Sequence, residues 1–174
     1  QQIGWRSIDI YDKVIERTRK DWFVLYTDSN YQAVQKLIDI WDIDFPYLKI
    51  IFSGVRRDVV DKKNMANIIY YEKIDPQKYE KLFNSCRIHV VLDTIDNFNH
   101  QANQVMLCGN VPVCINKGPI LEVLSEDNYF PISCSKKKLK NVMGSQYVYT
   151  KEDVLEAVKK VMTISDTTLE LMGS

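Results

Sequence analysis

Short apolar runs alternate with amphipathic stretches along this chain. "DWFVLYTD" (21–28) is rich in aromatic and β-branched residues and bounded by polar ones, which predicts a strand. "YQAVQKLIDIW" (31–41) puts Val34, Leu37, Ile38 and Trp41 on one helical face. "YLKIIFSG" (47–54) and "NIIYYEK" (67–73) again read as strands. "DPQKYEKLFNSC" (75–86) opens as a helix should, with Asp75 as N-cap and Pro76 in the first turn. "RIHVVLD" (87–93) is apolar at successive positions, the pattern of a strand covered on both faces. A loop and a helix over about 99–108 follow, then a strand over 110–116 and a short helix over 118–125. "NYFPIS" is a brief strand, and "QYVYT" leads into the helix "KEDVLEAVKKVMT" (151–163). The lysine run "SKKKLK" (135–140) reads as a solvated loop.

Strands separated by helices predict a parallel sheet with helices on both faces, a Rossmann-like three-layer α/β/α domain. The 174 residues suit one such domain over 1–174. In such sheets ligands bind beyond the carboxyl ends of the strands. One of those ends carries an unusual density of hydrogen-bonding side chains, "DNFNHQANQVMLCGNVPVC" from Asp96 to Cys114.

A loop that feeds a helix start offers unpaired backbone N–H groups and the positive end of the helix dipole. That combination suits phosphate or diphosphate. Asn97 or Asn99 can cap the helix. His100 stands near its start. Gln104, one turn in, carries an amide that can both donate to and accept from sugar hydroxyls. A plainer reading stands beside this one: Asn99 caps, Asp96 makes a turn, and the rest are solvated.

Composition narrows the classes. The chain is 45% hydrophobic, enough to bury a core, and Lys+Arg and Asp+Glu both number 23. A net charge of zero argues against a general nucleic-acid or anionic-membrane binder and leaves a local basic pocket open. No apolar run reaches the ~20 residues of a membrane span. Cys86, Cys108, Cys114 and Cys134 form no CxxC pair and read as reduced thiols of a cytoplasmic protein. With His89 and His100 adding no ligand spacing, no metal site is expected. There is no GxGxxG after the first strand, no GxxxxGK[ST] and no GxSxG, so dinucleotide, P-loop and α/β-hydrolase readings lose their main support. The start, "QQIGWRS", lacks Met and is expected to be the start of a piece of a longer protein.

The order of motifs from Asn67 to Leu121 resembles the C-terminal, nucleotide-sugar-binding half of GT-B fold glycosyltransferases, in particular the group 1, GT4-like enzymes. "NIIYYEKIDPQKYEKLF" resembles the family's strand, loop and helix before its central site. "CGNVPV" stands where the family has "CGTPVV", and "GPILEVL" where it has "GGLPEVV". "IGWRS" resembles its "vGRls" turn and "LKIIFSG" its "LvIvGdG" strand.

The resemblance implies transfer of a sugar from a nucleoside diphosphate sugar to an acceptor, with no cofactor or metal and with retention. It carries the family's two acidic positions onto Asp96, which would touch the donor sugar, and Gln104, which would hold the ribose with a neutral amide. Asn97, Phe98, Asn99 and His100 fall in the diphosphate loop, Arg6 at the phosphate-binding arginine, and Lys73 and Ile74 in the base-contacting loop. The family's lysine has no counterpart among Asp9, Ile10 and Lys13. The implied partner is an N-terminal GT-B domain of the same protein, which would supply the acceptor site and any peripheral membrane contact. Nucleic acid is not an implied partner. Two other classes stay open: a degenerate, non-catalytic GT-B-like module used for protein interaction, and a receiver-like domain with Asp28 and Asp93 as its acids.

Overall fold

The computed structural model describes residues 17–53, 59–93, 100–116, 124–125, 127–138 and 145–172. Six strands form one sheet: β1 (Thr18–Tyr26), β2 (Tyr47–Phe52), β3 (Ile68–Tyr71), β4 (Cys86–Val91), β5 (Val111–Ile115) and β6 (Phe130–Ile132). Their spatial order is β3-β2-β1-β4-β5-β6 and every pairing is parallel. This is the doubly wound order of the dinucleotide-binding folds, whose strand order reverses between the first and fourth strands. A separate antiparallel ribbon pairs β7 (Ser135–Lys138) with β8 (Ser145–Val148).

Period-two alternation within β1 explains why its run is apolar throughout. Trp22, Val24 and Tyr26 enter one core, with Val34, Leu37, Ile38 and Trp41 of α1 (Tyr31–Ile40) and its C-cap. Val154, Ala157, Val158 and Val161 of α4 (Lys151–Thr163) complete that side. Phe23 faces the opposite way, into a second core with Phe83 of α2 (Pro76–Ser85) and Ala102 and Val105 of α3 (His100–Leu107). The domain is therefore a three-layer α/β/α sandwich, as the alternation of patterns predicts.

Local chemistry accounts for the element ends. The Asp75 carboxylate accepts from Lys78 N at 2.8 Å, and Pro76 occupies the first helical turn. Thr150 and Asp153 form a reciprocal capping box at the start of α4.

Two features depart from the sequence-based reading. The lysine run is not a loop: residues 135–138 form β7, because Lys136, Lys137 and Lys138 each find a register partner in β8 while staying exposed. A final helix, α5 (Asp166–Met172), buries Leu169 against the first core, and its seven residues are too few to show a clear period. The helix expected over 118–125 falls mostly outside the described residues.

Candidate functional site

The carboxyl edge at the reversal between β1 and β4 is where this topology leaves a crevice. On the β1 side, Thr27–Asn30 turns the chain into α1. The Asn30 side chain builds that turn. Its Oδ1 accepts from Thr27 N at 2.8 Å and its Nδ2 donates to Leu25 O at 2.9 Å. With the side chain so engaged, no side-chain cap closes the helix start, and the first backbone bond of α1 runs from Val34 N to Asn30 O at 3.0 Å. The N–H groups of Tyr31, Gln32 and Ala33 are thus left to solvent or ligand. The loop residues Thr27, Asp28, Ser29 and Asn30 include no cation.

On the β4 side, the strand ends at Val91, followed by buried Leu92 and by Asp93. Helix α3 then starts at His100. Helical spacing splits its side chains. Gln101, Val105 and Cys108 share the stripe that faces the core, and Val105 and Cys108 are buried. His100, Gln104 and Leu107 share the neighbouring stripe, turned about 100° toward solvent; Leu107 is 62% exposed and Gln104 half-buried. The Gln101 amide nitrogen is buried and has no hydrogen-bond partner among the described residues. It lies in the first turn, at the edge where a ligand would sit. Sequence reasoning passed over Gln101, although its position one turn before Val105 marks it as the inward-facing glutamine.

The remaining predicted residues divide as follows. Lys73 is exposed and Ile74 half-buried, and both follow β3. Ile74 packs against the core around Phe23 and Phe83. In sheet order β3 stands three strand intervals from β4, about 14 Å at the usual spacing, so Lys73 and α3 bracket an elongated edge. Arg6, Asp96, Asn97, Phe98 and Asn99 lie outside the described residues.

The "CGN" of the Asp96–Cys114 stretch has a structural role. Gly109 adopts φ 67°, the left-handed conformation that ends a helix without Cβ strain. Its N–H donates to Met106 O at 2.7 Å and the Asn110 N–H to Val105 O at 3.0 Å, the paired bonds of a Schellman cap. The Arg17 guanidinium donates to Gly109 O at 2.9 Å and also reaches Cys108 O.

Below this cap sits a buried polar knot. His89 is fully buried on β4, its Nε2 2.9 Å from Phe83 O and 3.0 Å from Cys86 O. Donation to two carbonyls places a proton on Nε2, and the Asn110 side-chain nitrogen lies 3.2 Å from the same atom. Asn110 Nδ2 donates to the same Phe83 O at 3.2 Å. The ring stacks on Phe23 at 4.7 Å. Burial pushes the His89 pKa down to about 3 despite the bonds to the two carbonyls. This histidine is structural.

The free cysteines divide into buried Cys86, Cys108 and Cys114 and half-exposed Cys134. Burial pushes the Cys86 thiol up to about 11, which makes it an inert core residue. Among the described residues, no three His, Cys, Asp or Glu side chains converge as metal ligands.

No protein-family profile and no curated protein sequence matches the chain. Solved structures do match its fold. The C-terminal domain of the glycosyl transferase group 1 family protein LpcC from Francisella tularensis superposes with TM-score 0.56 at 17% identity, covering 95% of this chain and 86% of that one. HepE from Anabaena, in complex with UDP-glucose, gives 0.59 at 9% identity over 90% of this chain and 42% of that one. A Listeria monocytogenes chain assigned as a UDP-N-acetylglucosamine 2-epimerase gives 0.52 at 7% identity over 99% and 43%. The chain thus spans about two fifths of the length of the latter two. It has the fold of the C-terminal domain of GT-B group 1 glycosyltransferases.

Proposed function

We propose that this chain is the donor-binding domain of a glycosyltransferase. The parent protein would move a sugar from a nucleoside diphosphate sugar to an acceptor held by an N-terminal domain, without a metal ion and with retention. One observation carries the reading. The strand order reverses between β1 and β4, and two helices point uncapped or amide-bearing first turns at that reversal. The fold neighbour HepE was solved with UDP-glucose, which supports a nucleotide sugar as the ligand class.

In this reading the first-turn N–H groups of α1 and α3 face the diphosphate, whose charge the helix dipoles favour. Arg6 adds a cation there, and Asp96 orients the donor sugar. Gln104 or Gln101 bonds the ribose hydroxyls. Asn97, Phe98, Asn99 and His100 shape the diphosphate loop, and Lys73 with Ile74 borders the base. Developing charge on the leaving diphosphate is stabilised by these fixed donors. No cofactor is required. A cytoplasmic location accords with four free cysteines, most of them buried.

Ligand-observed NMR with a panel of UDP-, GDP- and ADP-sugars tests this. One of them should bind, with affinity unchanged by EDTA. Loss of a single amide bond in Gln101→Ala or Gln104→Ala should weaken it about 5- to 10-fold. Failure of every nucleotide sugar to bind would overturn the assignment.

A second reading has its own support. The loop Thr27–Asn30 lacks a cation and carries Asp28, and a neutral glutamine stands at position 104. Both favour a degenerate module that kept the fold and lost the ligand. That module would show no nucleotide affinity under the same panel.

A further inference from the structure

The segment from Asn128 to Lys151 contains five lysines and no acidic residue, in a chain whose net charge is zero. Positive charge is therefore segregated. Three of these lysines, Lys136, Lys137 and Lys138, stand side by side on β7, which is exposed at every position. The antiparallel pairing with β8 places them on a two-stranded ribbon. Lys136 Nζ lies 5.8 Å from the Tyr147 ring centre, and Ser135 Oγ donates to Val148 O at 3.4 Å. The ribbon stands beside the β1–α1 turn: Ser29, Asn30 and Tyr31 line one small cavity together with Gln146, Tyr147 and Val148.

We infer that the β7–β8 ribbon docks this protein on an anionic membrane surface. The chemistry separates that occupant from a nucleic acid. Single-stranded nucleic acid needs aromatic faces for base stacking, and the ribbon's Tyr147 and adjoining Tyr149 are only 6% and 3% exposed. Specific phosphate readers favour the arginine fork, and 128–151 contains no arginine. Lysines are compact point charges that suit a diffuse field of lipid headgroups. Their long stems let neighbours on both faces of the pleat reach one plane. Val148, 40% exposed and paired with Ser135, adds an apolar contact on the face that carries Lys137.

Each lysine near an anionic leaflet strengthens binding about fivefold, so three together give about 100-fold. Co-sedimentation with vesicles of about one-third phosphatidylglycerol in phosphatidylcholine tests the inference. The full chain should pellet with them, should not pellet with pure phosphatidylcholine, and should lose binding as salt shortens the Debye length below about 8 Å. Lys136→Gln/Lys137→Gln/Lys138→Gln should lower the partition coefficient about 100-fold with an unchanged thermal melt. A control, Lys20→Gln/Lys81→Gln/Lys159→Gln, removes as much charge elsewhere and should bind as the wild type does. Equal loss in both triple variants would overturn the inference, because net charge alone would then explain it. So would absence of vesicle binding at low salt, or retention on a single-stranded oligonucleotide without binding to vesicles. The assay needs no nucleotide, so its outcome is independent of the donor-site proposal.

Discussion

His89 makes the folded domain sensitive to acid. Burial, opposed by the Cys86 and Phe83 carbonyls, holds its pKa near 3 in the fold, while the ring titrates at its ordinary 6.5 once unfolding exposes it. Below that ordinary value the unfolded chain binds a proton that the folded chain refuses. Stability from this group is therefore complete above about pH 6.5 and is lost as pH falls toward 3, at up to about 1.4 kcal/mol per pH unit. Urea denaturation at pH 7, 6, 5 and 4 should show the decline, and His89→Gln should have a shallower pH slope at lower stability. An unchanged slope would assign the acid sensitivity to other groups. Gly109 supplies a second residue-scale expectation. At its φ of 67° a Cβ would crowd the following carbonyl oxygen, so Gly109→Ala should cost about 1 kcal/mol in the same assay. Neither role was legible beforehand. The His89 partners are backbone carbonyls that no pattern marks, and the sequence offered "CGNVPV" only as part of a family resemblance. Gln101 was hidden for another reason: its importance comes from an inward stripe that depends on where α3 begins.

At the scale of elements, capping chemistry was the most readable signal. Asp75-Pro76 names a helix start in the sequence and that cap is present; the Thr150–Asp153 capping box emerges only in the structure. Thr150→Ala should remove the capping box of α4 and lower stability by about 1 kcal/mol, measured as a shift in the urea midpoint. β7 was misread because a run of lysines has low strand propensity; pairing with β8 overrides it, and exposed lysine is a common feature of strands at a sheet edge. The predicted strand ends overshoot at Asp28 and Asp93, since polar residues that close a strand and those that open a loop look alike in sequence. Arg17 shows a different limit. Its hydrogen bonds to the end of α3 span more than 90 residues of chain, and only tertiary structure joins them.

For the whole molecule, alternation of apolar runs and amphipathic stretches was enough to predict a three-layer sandwich, because strands covered on both faces lose the polar half of their pattern. The spatial order β3-β2-β1-β4-β5-β6 was not predictable from alternation, and it is this order that defines the crevice between β1 and β4. The order also changes which loop matters. The chain segment leaving β1 is Thr27–Asn30, whereas the resemblance had put the phosphate-side turn at Arg6, outside the described residues. Donor binding at the β1–β4 edge is tested by amide shift mapping of the isotope-labelled chain titrated with UDP-glucose and, in parallel, GDP- and ADP-sugars. The account predicts saturable shifts at Thr27–Asn30, Glu72–Ile74, Leu92–Asp93 and His100–Gln104. It would be contradicted by no saturable shift with any donor, or by shifts confined to the opposite edge of the sheet around Trp22, Phe45 and Tyr47.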